Sequence, residues 1–212
     1  HPAAFHDAEA EDALQAHLLD GVSRTFALTI PQLPPELRRV VANAYLLCRI
    51  VDTVEDEPHL PAAQKRALTQ QFARVVAGRG QPERFAAVAT SCLSMATPVP
   101  EHELIHCVPQ VLRITYRFNP AQRRALTRCV RIMAEGMAHF QETQSVAGLP
   151  DLDAMGRYCY HVAGVVGEML TELFCDYSPP IAKHRDRLMK LAVSFGQGLQ
   201  MTNILKDVWE DR

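Results

Sequence analysis

An all-α bundle of helices is the fold class the sequence predicts, and three observations carry it. Proline spacing leaves long proline-free tracts, among them residues 36–57, 62–81, 121–149, 151–178 and 181–212, each of helical length. Within them Ala, Leu, Arg, Glu, Gln and Met dominate, residues that lose little conformational freedom in a helix. Apolar residues recur at spacings of three and four, as in Leu126, Val130, Met133, Met137 and Phe140, and the strict alternation of a strand is absent.

The elements follow in order. Pro34 and Pro35 open a helix, since proline lacks the N–H that the first helical turn leaves unpaired. Pro109 lies inside the helical pattern of residues 101–118 and is expected to kink or split it. Asn119 and Pro120 read as N-cap and first residue of the next helix, and Pro150 with Asp151 mark another start. Seven or eight helices fit, joined by short loops near residues 31–34, 58–61, 78–82, 97–101, 148–151 and 177–181. No internal repeat or low-complexity segment appears.

A chain of 212 residues with 48% hydrophobic residues reads as one globular domain over residues 1–212 and excludes disordered and fibrous classes. Its 22 Lys and Arg against 24 Asp and Glu give a net charge of -2, and no cluster of five basic residues occurs, so no nucleic-acid partner is expected. Glycine-rich nucleotide loops are absent. The uncharged apolar stretches at residues 40–48 and 191–205 fall short of the roughly 18 to 20 apolar residues of a membrane span. Nothing near His1 resembles a secretory signal. Six cysteines, Cys48, Cys92, Cys107, Cys129, Cys159 and Cys175, lie in apolar surroundings without a C-x-x-C pair and read as reduced core residues. The expected location is cytoplasmic, with a peripheral membrane contact also compatible.

Two tracts combine apolar character with acidic stripes. Residues 40–54 are apolar almost all round, yet Tyr45, Arg49, Asp52 and Asp56 follow at spacings of 4, 3 and 4, which places them on one helical face. Residues 191–208 repeat the design with Gln200, Asn203, Asp207 and Asp211. Glu55 and Glu210 stand three residues after Asp52 and Asp207. An unpaired buried carboxylate costs several kcal/mol, so positive charge is expected between the stripes. Oxygen donors without His or Cys suit Mg²⁺, which commonly bridges to substrate phosphates. The inferred chemistry is diphosphate handling, with Arg49 and Arg24 available for the remaining oxygens. Taken singly, Glu55, Asp56, Glu57 and Glu210 are equally consistent with solvated helix ends.

These residues resemble the squalene/phytoene synthase family of head-to-head isoprenyl diphosphate synthases. The likeness runs through Ser23-Arg24-Thr25-Phe26, the segment from Tyr45 to Asp56, Gly136 to Phe140, Tyr158 to Gly167 with its Tyr-Cys-x-x-Val-Ala-Gly pattern, and Gln200 to Asp211. It covers about residues 20 to 212 in the family's order. The resemblance implies an isoprenoid-synthase helical bundle with a central apolar cavity and a Mg²⁺-dependent prenyltransferase. It implies Asp52, Asp56, Asn203, Asp207 and Asp211 as metal-site residues, with Glu55 and Glu210 as helpers. Ser23, Arg24, Phe26, Tyr45, Arg49 and Gln200 would line the diphosphate site, and Phe26, Tyr45 and Tyr158 could steady a carbocation through their ring faces. Tyr158 matches the tyrosine of proton transfer, so Tyr158, Asp52, Asp56, Asp207 and Asp211 are the catalytic candidates.

The implied reaction joins two farnesyl diphosphates through presqualene diphosphate to squalene, with hydride from NADPH. Dehydrosqualene or phytoene synthases, and a synthase releasing presqualene diphosphate, share these motifs. A non-catalytic helical partner protein is the alternative from another class, and loss of an acidic motif or of Tyr158 would be its signature. Family members continue with further helices beyond the position of Arg212, so the chain reads as truncated after the second acidic motif. Gly164 and Gly167 read as sites of close helix packing or as a widening of the substrate tunnel. No histidine, including His161, shows convincing ligand spacing.

Overall fold

The computed structural model describes the backbone of residues 2–143 and 149–210, and the side chains of residues 8–137, 140 and 149–206. Within them run α1 (Pro2–Val22), α2 (Phe26–Thr29), a 3-10 turn (Ile30–Gln32), α3 (Pro35–Asp56), α4 (Ala62–Val76), α5 (Pro82–Cys92), α6 (Val99–His106) and α7 (Val108–Arg117). There follow α8 (Pro120–Thr143), α9 (Leu152–Cys159), a π turn (Tyr160–Gly164), α10 (Val165–Tyr177), α11 (Pro179–Ala182) and α12 (Arg185–Glu210). No strand occurs among the described residues, as an all-α reading requires. The expected seven or eight helices become twelve α-helical segments. The increase comes from the four-residue α2 and α11, the division at Cys107, and the π turn that splits the tract read as one helix over residues 151–178.

Local chemistry explains the boundaries. The pattern over residues 101–118 is split as expected, with Pro109 in the first turn of α7. Asn119 Oδ1 accepts from the Gln122 backbone N–H at 2.9 Å, and Gln122 Oε1 accepts from the Asn119 N–H at 3.3 Å, a reciprocal cap for α8. Asp151 Oδ1 accepts from the Ala154 N–H at 2.7 Å and starts α9. At the end of α4, Gly78 takes φ 75°, a left-handed conformation that glycine adopts without steric cost. There the Arg79 N–H reaches the Arg74 carbonyl and the Gly78 N–H reaches the Val75 carbonyl, both at 2.8 Å.

Helix α3 is the axis of the bundle. It packs against α1, α4, α6, α7, α8 and α10, and Leu46, Ile50 and Val51 are fully buried. Each such aliphatic side chain contributes about 1.5–3 kcal/mol relative to exposure. Polar groups also lock α1 and α7 onto α3. Gln15 Nε2 donates to Asn43 Oδ1 at 3.0 Å, and Asn43 Nδ2 donates to Thr115 Oγ1 at 2.7 Å. Buried Glu11 accepts from Arg39 at 2.5 Å and pairs with Arg117 at 2.9 Å. These bonds satisfy groups whose burial would otherwise cost free energy.

Helix α12 differs from α3 despite its similar composition. One side rests on α9, the π turn and α10, whereas Leu191, Phe195, Leu199 and Leu205 stand exposed. All six cysteines are free; Cys48, Cys129 and Cys159 are buried and the other three are partly buried. No described helix is long and apolar enough to cross a membrane.

Candidate active site

The first acidic stripe forms as its spacing predicts. Helix α3 is apolar enough to be covered on most sides, and this forces Tyr45, Arg49 and Asp52 into partly buried positions while Asp56 reaches the exposed end. Burial, followed by the negative charge of Asp56, pushes the Asp52 carboxyl up to about 7, and nearby Arg49 only partly offsets the rise. Burial also raises Asp56, which shares a hydrogen bond with Glu55. A cation beside the stripe would favour the charged forms of these carboxyl groups.

Tyr158 meets this stripe from α9. Its ring packs edge-on against Phe140 of α8 at 5.3 Å between centroids. Burial, then the charges of Glu55, Asp56 and Asp52, pushes its hydroxyl up to about 12. The tyrosine therefore keeps its proton at neutral pH. The π turn begins two residues later, where an extra residue in the helical turn resets the direction of the chain into α10.

Ser23, Phe26 and Tyr45 form the far side. Ser23 Oγ accepts from the Phe26 backbone N–H at 3.0 Å, fixing the start of α2. Phe26 lies against Tyr45 with ring centroids 5.2 Å apart, and Tyr45 donates its hydroxyl to the Val22 carbonyl at 3.2 Å. Arg24 is exposed. On α12, Gln200 is partly buried and Asn203 exposed. The side chains of Asp207 and Glu210, and the whole of Asp211, lie outside the described residues. Among the described residues, no three His, Cys, Asp or Glu side chains converge as a metal-binding group.

Glycine packing seats α12 on α10 and the π turn. A Cβ on Gly167 would stand 2.5 Å from the Ala192 carbonyl oxygen, and one on Gly196 would stand 2.5 Å from that of Ala163. Gly167 thus serves close packing of α10 on α12, the first of its two readings. A Cβ on Gly164 would meet the Tyr160 ring at 2.9 Å. His161 Nδ1 lies 2.8 Å from the Arg157 carbonyl oxygen, an acceptor, so that nitrogen carries the proton.

Several polar partners escaped the sequence reading. Glu101 of α6 pairs with Arg49 and accepts from Thr53 Oγ1 at 3.0 Å. Glu168 accepts from Arg128 at 2.7 Å and from the Tyr160 hydroxyl at 3.2 Å. Glu57, read as equally consistent with a solvated helix end, is buried. It accepts from the backbone N–H groups of Ser94 at 2.9 Å and His59 at 3.0 Å, and from Thr97 Oγ1 at 2.5 Å. These pairs span 2 to 52 positions, and only Tyr160 and Glu168, 8 apart, have a helical spacing. A separate cavity of about 440 Å³ opens near the start of α8, lined by Tyr116, Arg123, Arg124, Arg128 and Arg131 among others. Its guanidinium groups distinguish it from an apolar substrate cavity.

Comparison with known proteins fits this geometry. The chain is 32% identical over 198 residues to a squalene synthase of Botryococcus braunii, covering 92% of this chain and 39% of that protein. It is 31% identical over 197 residues to a lycopaoctaene synthase of the same organism, covering 92% and 40%. A solved structure of TcSQS with a bound ligand superposes with TM-score 0.78 and 30% identity, over 95% of this chain and 54% of that one. The chain thus spans about two fifths of these curated relatives and about half of the solved structure. The squalene/phytoene synthase pattern matches residues 19–212, so on this match, these identities and the shared fold the chain belongs to the squalene/phytoene synthase family.

Proposed function

We propose that the protein containing this chain is a squalene synthase, joining two farnesyl diphosphates head to head through presqualene diphosphate and then forming squalene with hydride from NADPH. The observation that carries the reading is the partly buried stripe of Tyr45, Arg49, Asp52 and Asp56 meeting a protonated Tyr158. Burial raises the Asp52 carboxyl to about 7 despite nearby Arg49, so a further cation beside it would favour its charged form. An oxygen-only donor set fits Mg²⁺, with Asp52, Asp56, Asn203, Asp207 and Asp211 to hold it and Glu55 and Glu210 to assist. Bound there, Mg²⁺ would supply charge neutralisation for a departing diphosphate.

The chain's own residues account for the remaining tasks. Arg49 and Arg24 bind diphosphate oxygens, and Gln200 and Ser23 line the same site. The paired rings of Phe26 and Tyr45 offer negative faces to an allylic cation. In the first step the C–O bond of one donor breaks with its electron pair leaving on diphosphate. The cation then takes an electron pair from the second donor's double bond, and closure of the cyclopropane releases one proton. Tyr158 Oη holds a proton that it can pass toward the departing oxygen, and it can be reprotonated from ring closure. Conversion to squalene requires a second loss of diphosphate and a hydride.

The matching family takes in phytoene as well as squalene synthases, so a synthase without the reductive step is the second reading. The deciding experiment is mass spectrometry of products from the full-length protein with farnesyl diphosphate and Mg²⁺, with and without NADPH. Squalene only with NADPH supports the proposal. Dehydrosqualene or presqualene diphosphate irrespective of NADPH supports the second reading, and the absence of any prenyl product overturns both.

A further inference from the structure

We infer that Glu101 is a positioning residue that holds Arg49 in the orientation needed to receive a substrate diphosphate; the inference rests on the role proposed for Arg49. Arg49 and Asp52 share one face of α3, while Glu101 comes from α6, 52 positions away from Arg49. Glu101 is 7% exposed. Its two oxygens are divided between two residues of α3: one pairs with Arg49 Nη2, and the other accepts from Thr53 Oγ1 at 3.0 Å. Thr53 is itself buried, so the carboxylate is held from two directions.

The consequence for Arg49 is geometric. A guanidinium is planar with five N–H donors, so fixing one nitrogen on a rigid carboxylate limits where the other donors point. Nη2 is the only guanidinium nitrogen of Arg49 bonded among the described residues, and Nε is buried without a partner. The Arg49 side chain keeps 29% of its exposure, so the group is anchored and still reachable. Burial works against its charge, but the hydrogen bond and charge of Glu101 outweigh it and raise the Arg49 pKa. A free arginine on an exposed helix would lose side-chain entropy on binding diphosphate, whereas an anchored one has already lost much of it.

Glu101 also lies close enough for its charge to be felt at Asp52 and Asp56. Arg49 therefore stands between carboxylates on both sides. An arginine on this face without Glu101 would turn toward Asp52 and Asp56, neutralising the groups that the proposed chemistry requires to bind a cation. The Glu101 carboxylate keeps Arg49 beside the acidic pair rather than collapsed onto it.

The test uses the full-length enzyme and variants Glu101→Gln, Arg49→Lys and their double variant, assayed for KM and kcat with farnesyl diphosphate and for inhibition by inorganic diphosphate. Outer partners that orient metal-binding side chains matter by about 10–100-fold, and the low end of that order is expected for a partner that orients a guanidinium. Glu101→Gln should raise KM and weaken diphosphate inhibition about tenfold, with a smaller change in kcat, and Glu101→Asp should restore part of the loss. The double variant should be little worse than Arg49→Lys, because the two residues act through one group. Should Glu101→Gln fail to fold, Thr53→Val removes the second hold on the carboxylate and should raise KM in the same direction. Unchanged KM in a folded Glu101→Gln, or full additivity with Arg49→Lys, overturns the inference while leaving the role of Arg49 intact. Unchanged diphosphate inhibition in Arg49→Lys overturns both.

Discussion

Asp52→Asn removes a carboxyl group that the fold disfavours in its charged form, so without divalent cations the substitution should stabilise the protein at high pH. The group is raised from 3.8 to about 7, and one pKa unit corresponds to about 1.4 kcal/mol, which sets an upper bound of about 4 kcal/mol. Solvent reaching the partly buried side chain reduces this to about 2 kcal/mol. The folded-state pKa lies above the unfolded value, so the stability linked to this proton is fully present below about 4 and lost as pH rises through about 7. In a chain of this length 1 kcal/mol moves Tm by about 2–4 °C. Thermal denaturation in EDTA at pH 8 should therefore show Asp52→Asn higher than wild type by about 4–8 °C, with the two converging near pH 4. The same variant should lose most turnover with Mg²⁺ and substrate. A variant less stable than wild type at pH 8 in EDTA, or as active as wild type, would refute the reasoning.

Other perturbations test separate parts of the structure. Tyr158→Phe keeps the edge contact with Phe140 and removes the protonated hydroxyl, so kcat should fall well below wild type while KM changes little; equal reductions in substrate affinity would assign Tyr158 to binding. Gly196→Ala forces a Cβ against the Ala163 carbonyl and should cost about 1–3 kcal/mol, read as a lower Tm, whereas Gly198→Ala, with nothing within 4 Å, should leave Tm unchanged or raise it. Glu57→Gln weakens a carboxylate held by two N–H groups and a hydroxyl, and denaturant unfolding should show a loss of about 1–3 kcal/mol. Because these bonds, despite burial, lower Glu57 to about 2, its contribution should persist above its ordinary value of 4.5 and disappear as pH falls through about 2.

Much of the helical plan was legible because it depends on local chemistry. Asn119, Asp151 and Pro35 act at the positions where they stand in sequence, and α3 announces its burial through an apolar surface broken by one polar stripe. The short α2 and α11 and the π turn were not legible, since four or five residues give no full period and a π turn has no distinct spacing. The site divides in the same way. Asp52, Asp56 and Tyr45 lie on one helix and could be grouped by counting. The meeting of Tyr158 with that stripe came from resemblance, and the pairing of Arg49 with Glu101 depends on how α6 folds across α3, a relation that no periodicity encodes.

The central claim is that the α3 stripe binds a prenyl diphosphate together with Mg²⁺. Its most direct test is the thermal midpoint of the full-length protein with an unreactive farnesyl diphosphate analogue, in Mg²⁺ and in EDTA, for wild type and Asp52→Asn. A ligand at 100 times its Kd stabilises the native state by about 2.7 kcal/mol, read as a raised midpoint. The account predicts a rise of that size for wild type in Mg²⁺, a much smaller one in EDTA and little in Asp52→Asn. An equal rise in Asp52→Asn, or one indifferent to Mg²⁺, would contradict it.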